Sequence, residues 1–108
     1  MIDIDVDSTW AKELEQKILV ELGFDFNLVK VEFVQVVEPQ VRFAKFFFWG
    51  RGAGEHYVEV SVPTNPEALQ LERLKGKPKD LQASAVMKRL FDLVFRAVDK
   101  ETAKNEQF

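Results

Sequence analysis

The residues able to do covalent chemistry are few and poorly placed relative to one another. His56 is the only histidine and cysteine is absent, which removes thiolate nucleophiles, thiolate metal sites and disulfides. A serine nucleophile needs a base within hydrogen-bond reach. Ser61 lies on the same extended run as His56 with opposite parity, so the two side chains point apart. Ser8 and Ser84 sit at helix starts, where capping or a place on the helix surface accounts for them. Glu55 and Glu59 stand about 13 Å apart on a strand, wider than the roughly 5–9.5 Å used by paired glycosidic carboxylates. Asp3, Asp5 and Asp7 open like a calcium loop, but Ser8 stands where that loop has glycine and Leu14 where it has glutamate. Gly50, Gly52 and Gly54 alternate as in a phosphate cradle, yet strand patterns flank them on both sides and no helix N-terminus follows. These spacings predict no catalytic residue, no metal site and no cofactor.

Binding is better represented than catalysis. Arg42-Phe43-Ala44-Lys45-Phe46-Phe47-Phe48 interleaves bases with aromatics, as single-stranded nucleic-acid binders do when they stack bases on a sheet beside a positive groove. The residue order departs from the RNA-recognition signature, and Glu32 and Glu59 offset Lys30 and Arg42. Arg73, Lys75, Lys77 and Lys79 form a separate basic run with the composition of a solvated linker. The net charge is −3, unevenly spread: residues 1–38 hold nine acids against three bases. An acidic N-terminal half could face a basic, nucleic-acid-binding target as an inhibitor, whereas a charged edge strand that resists unwanted pairing accounts for the same aspartates. A protein partner or a second copy fits this balance better than nucleic acid does.

The elements that must hold these residues fit one domain. The chain has 108 residues, 46% hydrophobic and 31% charged, a globular balance with room for a thin core. No apolar run reaches membrane-span length and the N-terminus lacks a signal-like segment, so the expectation is a cytoplasmic protein with no membrane partner. Ser8 or Asp7 caps a helix from Thr9, striped by Trp10, Leu14, Ile18 and Leu22 and closed by Gly23. Val29–Val37, Val41–Trp49 and His56–Val62 read as strands joined by short connections, an antiparallel meander. Residues 2–6 alternate as a candidate fourth strand. Asn65 and Pro66 start a short helix through Leu74. Asp80 caps a long one from Leu81 to about Thr102, striped by Met87, Leu90, Phe91, Val94, Phe95 and Val98, with residues 103–108 a frayed tail. The fold class is α+β.

Hairpin symmetry assigns the faces of the sheet. Turns centred on Gly52-Ala53 and on Pro39 place Trp49 opposite His56, Phe47 opposite Val58, Phe43 opposite Val62 and Val37 opposite Val41, all facing the helices. Lys45 is the misfit on that side, forced to snorkel or to mark a bulge. The other face then carries Phe48 opposite Tyr57 and Phe46 opposite Glu59, with Val34, Val36 and Arg42 beside them and Arg51 at the loop apex. Large aromatics with Arg inside a rim of charge match interface composition. Helices covering both faces would make Phe46 and Phe48 ordinary core instead. Val86, Leu93 and Ala97 form a second apolar strip on the long helix, a competing dimer surface. The reading is a non-catalytic protein-interaction module, self-associating as a homodimer through Phe46, Phe48, Tyr57, Val34, Val36, Arg42, Glu59 and Arg51. The alternatives are a single-stranded nucleic-acid binder using the same aromatics and an acidic inhibitor.

Overall fold

A computed structural model describes residues 4–23, 25–37, 41–51, 56–75 and 85–105 of the chain. Helix α1, Thr9–Leu22, starts where the Ser8 hydroxyl accepts from the Ala11 amide at 3.2 Å. It stops at Gly23, whose φ of 71° is open to glycine at little cost and whose N–H donates to the Leu19 carbonyl at 2.9 Å. Ala11, Leu14 and Ile18 are its buried stripe. The alternation at residues 2–6 does not make a strand where it is described. Ile4 and Asp5 are irregular, Val6 and Asp7 form a turn, and the Asp5 carboxylate accepts from the Asp7 amide at 3.0 Å. Ile2 and Asp3 lie outside the described residues. The turn tucks Ile4 and Val6 against the core, a use of the apolar alternation that needs no ladder.

Three strands follow, β1 (Asp25–Val36), β2 (Val41–Arg51) and β3 (His56–Pro63), in the antiparallel order β1-β2-β3. Strand β1 begins four residues earlier than its β-branched run suggests, because Phe26 and Leu28 supply buried side chains ahead of a bulge. Between Leu28 and Lys30 the register shifts, so that Val29 is the extra residue. Gly50 is a strand residue opposite Phe26, and a Cβ there would come within 2.5 Å of the Phe26 ring. The glycine therefore serves close approach of a ring to backbone. Gly52 and Gly54 lie outside the described residues.

Helix α2, Pro66–Lys75, opens with the Leu69 amide donating to the Asn65 carbonyl at 3.1 Å. Asn65 also ties the helix start to the sheet, its Oδ1 accepting from the Arg42 amide at 3.0 Å. Helix α3 runs Ala85–Asn105, so residues 103–105 are helical where fraying was expected; residues 81–84, the expected first turn, and Asp80, its expected cap, lie outside the described residues. Leu90, Val94 and Val98 are buried as the stripe predicts, while Met87, Phe91 and Phe95 are partly buried against the core. Leu93 is buried too, which removes it from the expected dimer strip. The reason is that α3 packs against α1, β3 and α2, and a helix touching several neighbours buries a wider arc than one stripe.

Helices α1, α2 and α3 all contribute to a single buried cluster with Phe26, Leu28, Ala44, Phe46, Phe48, Val58, Val60 and Val62. Directly opposed residues share a face, and these sheet residues occupy one. The fold has two layers, helices on one side and sheet on the other. Among the described residues, no helix is long and apolar enough to cross a membrane.

Candidate interaction face on the open side of the sheet

The register decides which aromatics meet solvent. Phe48 pairs with Val58, Phe46 with Val60 and Ala44 with Val62, all on the helix side. Phe46 and Phe48 are 0% exposed. Their expected place on an accessible face is thus corrected: strand β2 is turned over by one residue. The expected hairpin centres were each half a residue off. Val36 pairs with Val41 and Trp49 with Tyr57, which puts four residues in the first turn and centres the second on Ala53. A shift of one residue moves every side chain of a strand to the opposite face. Phe46 now stacks on Phe48 with ring centroids 6.4 Å apart and meets Trp10 of α1 at 6.1 Å.

The open face consists of rows across the strands. Trp49 lies beside Tyr57, Phe47 between Lys30 and Glu59, Lys45 between Glu32 and Ser61, and Phe43 between Val34 and Pro63, with Val36 opposite Val41 at the end. Tyr57 is 68% exposed and packs edge-on against Trp49, centroids 4.6 Å apart. The Lys30 ammonium sits 4.9 Å over the Phe47 ring and 2.7 Å from the Glu32 carboxylate. The hydrogen bond from Lys30, reinforced by its charge, holds Glu32 below the ordinary carboxylate value. Lys45, no longer a misfit, reaches Glu59 at 3.6 Å on the solvent side. Two lysines and two glutamates alternate around the rings, so the described charge of this central patch sums to zero.

Of the residues expected at the interface, Val34, Val36, Tyr57 and Glu59 are on the open face. Arg42 is not. It pairs with Gln35 on the helix-side parity and is exposed at the end of the sheet. Its backbone carbonyl accepts from the Thr64 amide at 2.7 Å. Arg51 is no loop apex: it is the last residue of β2, paired with Asp25, and its side chain lies outside the described residues. Phe43, Phe47 and Trp49 were missed, and the signal that could have found them was Lys45, whose charge belongs on the same solvent face.

The described residues bring no catalytic group together. His56 pairs with Gly50, on the parity opposite to that of Ser61; its side chain and Glu55 lie outside the described residues. No group of three or more metal-ligating side chains occurs among the described residues. Gln35, Arg42, Asn65, Pro66 and Glu67 line an open cleft of about 440 Å³ at the end of the sheet. Asn65 and Glu67 hydrogen-bond each other there at 3.3 Å, so these two side chains are already engaged at the α2 N-terminus. No family model matches the chain, and neither a curated protein nor a solved structure matches it.

Proposed function

We propose that this protein is a non-catalytic interaction module that docks through the open face of its sheet, and that its partner is a second copy of itself. One observation carries the reading. All three helices pack on the other side of the sheet, leaving Phe43, Phe47, Trp49 and Tyr57 together on a face with no helix over it among the described residues. The solvent face of an antiparallel sheet is ordinarily polar; on this one the aromatics stand among paired charges, and enrichment in Trp, Tyr and Phe is what distinguishes interfaces.

Charge supports a second copy as the occupant. A two-fold axis along β2 lays β1 of one copy over β3 of the other, about 10 Å apart as in stacked sheets. Phe47 then meets its own mate, and Lys30 of each copy comes over Glu59 of the other, since these three share one row. The same axis brings Lys45 onto its own mate, a like-charge contact that Glu59, 3.6 Å from Lys45 within each copy, offsets. Nucleic acid finds no net positive charge on this patch to offset its phosphates. Three strands and eight residues span roughly 14 by 27 Å. Two such faces bury on the order of 1,000 Å², the lower end for a specific contact, consistent with reversible association at about 1–100 µM.

The test is sedimentation velocity over a concentration series with the Phe47→Asp/Tyr57→Asp double variant. The wild type is expected to gain mass with concentration, and the variant to do so only at roughly tenfold or more higher concentration, with unchanged cooperative unfolding. Equal association of the two proteins would remove the face as the contact. Tight, steeply salt-dependent binding of a single-stranded oligonucleotide that the double variant loses would replace a second copy with nucleic acid.

A further inference from the structure

We infer that the free edge of β1 pairs antiparallel with β1 of a second copy, about a two-fold axis at Phe33, joining two sheets into one of six strands. This surface is separate from the open face and does not depend on it. The directions of the backbone groups follow from two observations. The Arg42 amide donates to Asn65 and its carbonyl accepts from Thr64, so Arg42 points its backbone away from β1. In an antiparallel pair the opposed residue does the same, so Gln35, its partner, turns its own N–H and C=O to the outside of the sheet. With no further register shift between Lys30 and Val36, Phe33 and Val31 share that orientation. Among the described residues, the outer edge of β1 thus presents three residues with no ladder partner, and no strand lies beyond it.

The same edge is closed at one end. The Leu28 amide, also directed outward, donates to the Glu15 carboxylate of α1 at 2.9 Å. An incoming strand is therefore limited to the stretch after the bulge. That stretch, Lys30 to Val37, is rich in β-branched residues, lacks proline and carries only the mutually paired Lys30 and Glu32, so its charges cancel where exposed edges are normally blunted with charge or proline. Four of the exposed large hydrophobics, Val29, Phe33, Val36 and Val37, lie along this strand and the residue after it.

Self-pairing satisfies these groups in one register. An axis at Phe33 sets Phe33 beside its mate and Val31 beside Gln35 of the second copy, giving about six inter-strand hydrogen bonds. It brings Val37 level with Val29 of the second copy and Glu32 level with Val34 of the second copy, so that no like charges meet. An axis at Val31 would run the incoming strand into the occupied Leu28 amide; one at Gln35 would run it past the end of β1. Helix α1 meets the edge at Leu28, about 17 Å from the axis along the strand, and its mate lies equally far in the opposite direction, which leaves room for both.

Cross-linking tests this directly, because the chain has no cysteine and any disulfide must form at an introduced one. Across the axis the Phe33 Cα atoms would be about 5.5 Å apart, within disulfide reach. Residue 31 would lie about 13 Å from its own mate and beside residue 35 of the second copy. Under mild oxidation Phe33→Cys is expected to form covalent dimer at least about tenfold faster than Val31→Cys or Gln35→Cys alone, and a mixture of those two to form the heterodimer. Equal rates for all the single variants, or no cross-link from Phe33→Cys in a protein that melts like the wild type, would overturn the pairing. Repeating Phe33→Cys with Phe47→Asp/Tyr57→Asp separates the two surfaces. Retained cross-linking supports the edge whatever the face does; loss of cross-linking in that folded background would place the contact on the face and overturn the edge.

Discussion

At the scale of single residues, the charged groups act in small local clusters whose contributions depend on pH. Arg89 of α3 donates to Glu21 of α1 and to Asp92 at 3.1 Å, fastening the two helices at their solvent edge. The hydrogen bond and charge of Arg89 lower the Glu21 pKa. A hydrogen bond from Lys30 with its charge does so for Glu32, and the Glu67 backbone N–H with the Asn65 amide does so for Glu67. A carboxyl whose folded pKa is depressed contributes stability that is present above its unfolded value and lost as pH falls through the folded one. The melting temperature should therefore hold between pH 7 and about 5 and fall below about 4.5. Glu21→Gln should make that fall shallower in thermal melts. These groups are exposed and screened, so each effect is small, and salt should reduce it.

At the scale of elements, the two faces of the sheet respond unequally to truncation. Phe48 is fully buried between Phe26 and Phe46, and Phe48→Ala is expected to cost about 3–5 kcal/mol in denaturant unfolding. Tyr57→Ala, on the exposed ring, should cost under about 1 kcal/mol. Equal costs would mean that the open face is sealed in solution. Much of this layout was legible beforehand. Helix α1 announced itself by Ser8, Gly23 and a stripe at spacing four, and β3 by alternating Val58, Val60 and Val62 with Tyr57, Glu59 and Ser61. Strand β2 did not, because Phe43, Phe47 and Trp49 on one parity are as apolar as Ala44, Phe46 and Phe48 on the other. Its face then rests on turn centres alone, which are sensitive to a single residue of loop length. The bulge at Val29 was equally hidden, since β-branched residues run straight through it.

For the whole molecule, a two-layer arrangement from a chain of 108 residues leaves one side of the sheet without a helix over it among the described residues. The core is correspondingly thin, and association would add to it what the fold alone cannot bury. Because the central charges of the open face cancel, raising salt from 0.05 to 0.5 M should change the association constant of the proposed dimer by less than about tenfold. Sedimentation equilibrium at the two salt concentrations measures this. A drop of a thousandfold would indicate a phosphate-like electrostatic contact instead.

Amino-acid order by itself determined the α+β class, the succession of helices and strands, the caps of α1 and the face of β3, since each rests on contrasts between neighbouring residues. Tertiary structure decided which way β2 faces, where β1 bulges, that Leu93 is buried, and hence which rings remain outside. Alternation informs only when one parity is polar. Where both are apolar, the choice falls to the side that closes against α1 and α3 without burying the Lys45 charge, and that energy exists only once distant segments meet.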